Sequence, residues 1–361
     1  MKVAIVGLEQ VGKTSLFGAL TRQPVKVGMG GYGEESRVAV VEVPDRRVDA
    51  LIEMFRPRKE TRASVEFVDG GGGAGTRGGR FGPQFLQEIR QSDALVVVAR
   101  AFKSPAVPDP EGGLNPIRDY RDLEAELILA DLDLAEKRLE RMEKQDRSKP
   151  KSAQGGMEKE VLLKIQEHLE KELPLSALSF NASEEETLRH LDFVTRKPIV
   201  VVGNIGEDDL GGESPLLAEL KSWAERSGTP VIEICGALEL EVAQLGPEEE
   251  ASYLGALGVE ESGRDRLIRT VYELLGLISF FTVGEDEVRA WTIRRGDSAV
   301  TAAGKIHSDL ARGFIRAEVI PYDALAQAGG PKEAKDQGLY RLETKPYVVQ
   351  DGDILNIRFS V

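Results

Sequence analysis

Apolar residues along the chain fall into short, nearly continuous runs separated by amphipathic segments. KVAIVG (2–7), RVAVVEV (37–43), SVEFVD (64–69), ALVVVARA (94–101), PIVVVGN (198–204) and PVIEICG (230–236) are rich in β-branched residues and read as strands. Several are apolar at almost every position, the pattern of strands covered on both faces in a parallel sheet. Helical spacing follows at 14–20, 83–91, 215–227 and 239–245. This alternation predicts an α/β fold with a doubly wound, mostly parallel sheet and right-handed crossovers.

The alternation breaks between about 118 and 193. DYRDLEAELILADLDLAEKRLERMEK keeps apolar residues at three- and four-residue spacings, with i,i+4 charge pairs on its outer face. A breaker, DRSKPKSAQGG (146–156), then leads to MEKEVLLKIQEHLEKEL, so an inserted antiparallel helical hairpin is expected. After a helical run at 264–277 the texture changes again. Strand-like stretches separated by Gly and Asp turns, with one helix near 300–312, predict a small β-grasp-like domain. The expected division is 1–117 with 194–277, 118–193, and 278–361.

Composition narrows the function. The net charge is -14, from 47 Lys and Arg against 61 Asp and Glu, which argues against a broad basic nucleic-acid footprint. The single cysteine, Cys235, excludes an internal disulfide and fits a reducing compartment. No stretch approaches the roughly 20 apolar residues that span a bilayer, and MKVAIVGLEQ turns polar too early for a signal peptide. A cytoplasmic protein without a membrane partner is expected. Glycine is the odd component: of 38 copies, twelve lie within 28–33 and 70–82.

The chemistry concentrates at the strand ends. Gly7-Leu8-Glu9-Gln10-Val11-Gly12-Lys13-Thr14 matches GxxxxGK[ST] between the first strand and the first helix. Gly7 and Gly12 let the backbone wrap, so that the loop through Val11, Thr14 and Ser15 aims N–H groups at phosphate oxygens. Lys13 reaches the β- and γ-phosphates, and the Thr14 hydroxyl is a Mg²⁺ ligand. Asp69 ends the third strand and is followed by Gly72, a DxxG spacing in which the carboxylate holds Mg²⁺ and the glycine N–H meets the γ-phosphate. Lys13, Thr14 and Asp69 are therefore the candidate catalytic residues. Asn204 and Glu207 stand where P-loop GTPases carry their base-reading NKxD. Gly236 and Ala237 follow the next strand as a base-contact loop. Glu207 in place of Asp, with Ile205 in place of Lys, disturbs guanine reading.

On these motifs the chain resembles the YchF-type Obg-like ATPases, a branch of the Obg-related P-loop NTPases. GLEQVGKTSLFGALT, VVEVPDRRVDAL, VEFVDGGGG, FLQEIRQSDALVVVARAF, ELILADLDL and the NxxE at 204–207 carry the likeness. EVRAWTIRRG, AAGKIHSD, ARGFIRAEVI and YVVQDGDILNIRFSV look like that family's C-terminal TGS domain, a β-grasp module. The resemblance implies a nucleotide domain, an inserted helical domain and the TGS domain. It also implies ATP favoured over GTP, with Mg²⁺, in a translation-associated switch that meets the ribosome or rRNA.

Departures from the family pattern bear on catalysis. Glu9 and Gln10 replace Pro and Asn in the phosphate loop. Gly33 falls near the position of the first-switch Thr, and Gly73 leaves no side chain to position water. The loop SPAVPDPEGGLNP lacks the family's histidine, and Asp109 sits nearest to its place. His168 and His190 read as surface residues and His307 as part of the TGS match. Arg289, Arg294, Arg295, Arg312 and Arg316 could form a local basic face. The function expected is slow, ATP-preferring hydrolysis. The alternative is a nucleotide-binding but catalytically degenerate interaction protein.

Overall fold

A computed structural model of the chain describes residues 1–23, 37–70, 81–110, 112–146, 153–211, 214–256, 258–259 and 261–360. The first elements are β1 (Lys2–Val6), α1 (Lys13–Thr21), β2 (Arg37–Glu42), α2 (Arg46–Phe55), β3 (Lys59–Thr61), β4 (Ser64–Asp69), α3 (Pro83–Arg90) and β5 (Ala94–Ala101). Then come α4 (Pro116–Asp146), α5 (Ala153–Leu169), α6 (Ala182–Leu188), β6 (Ile199–Ile205), α7 (Pro215–Ser227), β7 (Val231–Ile234), α8 (Gly236–Val242), α9 (Pro247–Ala256) and α10 (Gly263–Leu274). The chain finishes with β8 (Leu277–Thr282), β9 (Glu287–Arg294), α11 (Ala299–Ile306), α12 (Ser308–Arg312), β10 (Phe314–Pro321), α13 (Tyr322–Ala328), α14 (Pro331–Asp336), β11 (Arg341–Glu343) and β12 (Asp353–Phe359). Two compact units result, one of Met1–Ala39 with Glu66–Arg266, the other of Val40–Val65 with Leu267–Val361.

The first sheet runs β2-β4-β1-β5-β6-β7. The ladders β4–β1, β1–β5, β5–β6 and β6–β7 are parallel, as the unbroken apolar runs foretell. All eight residues of β5 are buried, because this strand is covered on both faces. Ala4, Val6, Leu95, Val97 and Val201 pack with Phe85 and Ile89 of α3, Leu123 and Leu127 of α4 and Leu220 of α7. Every parallel strand ends at the same edge of the sheet, so the C-terminal ends of β1, β4, β5, β6 and β7 gather there.

The expected helical hairpin is present as α4 and α5. Ala135, Leu139 and Met142 face Val161, Leu162, Ile165 and Leu169, and Arg138 reaches Glu158 across the pair at 2.7 Å. At its root the buried Asp131 accepts from Val194 N at 2.9 Å, Thr195 N at 2.7 Å and Thr195 Oγ1 at 2.8 Å. That carboxylate joins α4 to the turn that leads back into β6. Among the described residues no helix is long and apolar enough to cross a membrane.

The second sheet runs β11-β10-β12-β8-β9-β3. The β12–β8 pair is parallel and is flanked by the antiparallel pairs β10–β12 and β8–β9, a β-grasp arrangement. Ala299, Ala302 and Ala303 of α11 pack on one face against Phe280, Ile293, Val319 and Leu355. The opposite face receives α2, with the Arg47 guanidinium 5.3 Å above the Phe281 ring. β3 adds an edge strand parallel to β9. The segment between the first switch and the third predicted strand therefore completes the C-terminal sheet, which the sequence reading did not foresee. The five arginines of the expected basic face do not share one. Arg289 lies on the α11 face, stacked 3.8 Å from Trp291, whereas Arg316 opposes Arg358 on the other face.

Candidate functional site

The loop after β1 owes its shape to its glycines. Gly7 has φ +155 and Gly12 φ +97, with Gln10 also left-handed at φ 60. A methyl group on Gly7 would lie 2.6 Å from Val98 O, and one on Gly12 only 2.2 Å from Asn204 Nδ2. Both positions thus demand glycine for space as well as for φ. Gly12 then caps α1, with Leu16 N donating to Gly12 O at 3.0 Å. The result is a turn of backbone wrapped round the N-terminus of α1, the shape that presents successive N–H groups to an anion.

Lys13 folds back into this loop, donating to Gly7 O at 3.0 Å and Leu8 O at 2.7 Å. Burial pushes its ammonium down to about 8, against the opposing pull of the Asp69 and Glu9 carboxylates. Asp69 is buried at 5% exposure at the end of β4, and it lies beside Ile5 in register, next to the loop that begins at Gly7. Thr14 and Ser15 open α1 and are half-buried. A hydroxyl and a carboxylate at this edge are hard oxygen donors of the type that suits Mg²⁺.

On the far side of the loop, Asn204 is buried at the end of β6. Its Nδ2 donates to Val11 O at 2.8 Å, and its Oδ1 accepts from Gly236 N at 2.9 Å. One side chain thus ties the phosphate loop to the start of α8. Gly236 begins that helix, and Ala237 is exposed beside it. Glu207 is exposed on the short turn Glu207–Asp209. Burial foremost, and the nearby Glu207 charge in addition, push the Cys235 thiol up, so Glu207 and the Cys235–Ala237 segment are neighbours. Gly7, Val11, Gly12, Lys13, Thr14, Ser15, Asp69, Asn204, Glu207, Gly236 and Ala237 therefore gather at one sheet edge. Gly72, Gly33 and Gly73 lie outside the described residues.

The histidines take no part. His168 is half-buried with Nε2 3.1 Å from Pro174 O, rather than at the surface. His190 is exposed, and His307 caps α12 by accepting from Asp309 N. The residue that sequence reasoning passed over is Arg100, buried at 4% exposure beside Asn204. Its signal was available as the only charge in an otherwise apolar strand. Asp109 is half-exposed, with Arg100 Nη2 3.4 Å from its Oδ1.

Comparison with known proteins shows the family. The family profile YchF-GTPase_C, described as a protein of unknown function (DUF933), matches residues 277–360. The chain is 41% identical to the "Ribosome-binding ATPase YchF" of Bacillus subtilis, with 100% of each chain covered. It is 39% identical to the protein of that name in Escherichia coli O157:H7, covering 100% of this chain and 99% of the relative. The solved Schizosaccharomyces pombe YchF GTPase superposes with a TM-score of 0.85 at 30% identity, over 99% of this chain and 97% of that one. Identity of this level over the full length, joined to a phosphate loop tied down by an NxxE asparagine, places the chain in the YchF family.

Proposed function

We propose that this protein is a ribosome-associated P-loop ATPase of the cytoplasm that hydrolyses ATP slowly, prefers it to GTP and acts as a switch. The observation that carries the reading is the bridge from Asn204 to Val11 O and Gly236 N. It joins an anion-shaped loop to the base-side segment, as a site for a whole nucleotide requires. Backbone N–H groups of 7–15 would hold phosphate oxygens, with Gly72 N–H added at the γ-phosphate. Lys13 would release the Gly7 and Leu8 carbonyls to bind the β- and γ-phosphates. Thr14 and Asp69 would hold Mg²⁺, which when bound offsets charge on the phosphoryl group. Asn204, Glu207, Gly236 and Ala237 would face the base, and Glu207 favours an adenine amino donor over the guanine pattern that Asp reads. The nucleotide part, the helical insertion at 118–193 and the TGS-like module at 278–361 would divide binding, coupling and partner contact. The names of the bacterial relatives support both the ATPase reaction and the ribosome as partner.

The test is single-turnover hydrolysis of ATP and GTP with and without Mg²⁺, with Lys13→Ala as control. Mg²⁺-dependent turnover favouring ATP and abolished in the variant is expected. Binding of ATP without turnover of either nucleotide, free or on ribosomes, would leave the degenerate interaction protein instead.

A further inference from the structure

Arg100 stands next to the C-terminal end of an apolar strand, yet its side chain is almost wholly buried. Taking a guanidinium out of water is expensive unless all its donors are used. Here four of the five N–H groups are used by one loop. Nε donates to Phe102 O at 3.1 Å, Nη1 to Pro108 O at 3.0 Å, and Nη2 to Val107 O at 2.9 Å. The one carboxylate partner, Asp109, is half-exposed, so carbonyls rather than a buried counter-charge satisfy this cation. The loop closes on itself as well, with Val107 N donating to Ser104 O at 3.2 Å. Residues 102–109 are thereby curled round one side chain.

That side chain is next to the base-side segment. Arg100 pairs with Asn204 in the β5–β6 ladder, and Ala101 with Ile205. Neighbours in register share a face of the sheet, so Arg100 and Asn204 stand side by side. The Phe102 ring lies 4.8 Å from the guanidinium carbon, and a methyl group on Gly206 would touch Phe102 Cβ at 3.7 Å. A chain of contacts therefore runs from Arg100 through Phe102 to the turn that precedes Glu207.

We infer that Arg100 is a positioning residue for base recognition: it fixes the 102–109 loop against the Asn204–Glu207 segment, and so supplies the base-dependent share of nucleotide affinity. The phosphate loop is held separately, through Asn204 and the glycines. This inference rests on the nucleotide-binding reading above, and inorganic tripolyphosphate separates the two because it engages the phosphate loop without a base.

The experiment is calorimetric binding of Mg²⁺-ATP and Mg²⁺-tripolyphosphate to the full chain and to Arg100→Ala and Arg100→Lys. In both variants ATP affinity is expected to fall at least tenfold while tripolyphosphate affinity changes less than twofold. Lysine is expected to fail because it keeps the charge but lacks the fork that holds three carbonyls. Hydrogen exchange on the unsubstituted protein gives a second readout independent of variant folding. Amides of 102–109 should be protected by ATP and not by tripolyphosphate. Equal losses for both ligands, parental ATP affinity in the lysine variant, or equal protection by both ligands would overturn the inference. Unsubstituted protein that binds tripolyphosphate as tightly as ATP would overturn the base-binding reading itself, and this inference with it.

Discussion

Removing the side chain of Asn204 should loosen the phosphate loop from a distance of nearly two hundred residues along the chain. Asn204→Ala leaves Val11 O and Gly236 N, both now satisfied at 2.8 and 2.9 Å, without partners in a buried place. Each orphaned group costs about 1–3 kcal/mol, so the variant should lose about 2–6 kcal/mol in urea unfolding of the first unit. Asn204→Asp is the control, because its carboxylate can still accept from Gly236 N but cannot donate to Val11 O. If about 2 kcal/mol of the loss falls on the loop, tripolyphosphate affinity should drop about thirtyfold in both variants. Calorimetry with tripolyphosphate reads the loop alone, free of any base contact. An Asn204→Ala protein that binds tripolyphosphate like the parent would refute the claim that this bridge shapes the phosphate site.

Three further outcomes follow from the same geometry. Nucleotide phosphates need Lys13 protonated, whereas burial leaves its ammonium at about 8 in the free protein. Affinity should therefore be flat below pH 7 and about tenfold weaker at pH 9, with about half a proton taken up on binding at pH 8; a flat profile from pH 7 to 9 counts against it. Gly12→Ala combines a left-handed φ of +97 with a 2.2 Å clash on Asn204, a strain of about 1–3 kcal/mol, and should weaken ATP binding by roughly 5- to 150-fold while far-ultraviolet circular dichroism stays unchanged. Arg47 bonds Asp45 and Asp351 at 2.8 Å each, and Asp351 also accepts from Ser279 N at 2.9 Å. Arg47→Ala should cost the second unit about 1–2 kcal/mol at low salt and less in 1 M salt, measured by urea unfolding at both.

What the sequence disclosed and withheld divides on physical lines. The parallel strands were legible because strands buried on both faces must be apolar throughout. The phosphate loop was legible because its glycines, lysine and threonine are contiguous. By contrast, α2 has a capping Asp45 that accepts from Arg47 N, with Val48 and Leu51 buried behind it. The helix could have been read from that spacing, but its seat on a sheet made by residues 277–359 could not. β3, Lys-Glu-Thr, carries no apolar pattern, since an edge strand three residues long is set by its neighbour β9. The start of α8 at Gly236 rather than near 239 reflects tertiary structure: Asn204 Oδ1 takes the Gly236 N–H, which overrides a poor helix former. Arg100 was visible only as an anomaly, and its four acceptors lie in a loop whose path no local rule specifies.

The capture of residues 40–65 by the C-terminal sheet has a consequence on the ribosome that makes this chain. The Val48 and Leu51 side chains of α2 are 1% and 0% exposed once folded, but the strands that cover them are synthesised roughly 200 residues later. At about 5–20 residues per second that delay is on the order of 10–40 s, during which α2 is a nascent amphipathic segment with no sheet to join. Truncation meets the same difficulty from the other side. A fragment beginning at residue 278 would display Phe281 without the helix that covers it and β9 without its edge partner, a bare strand inviting intermolecular pairing. Residues 40–65 and the C-terminal strands must therefore be present together before the second sheet is finished.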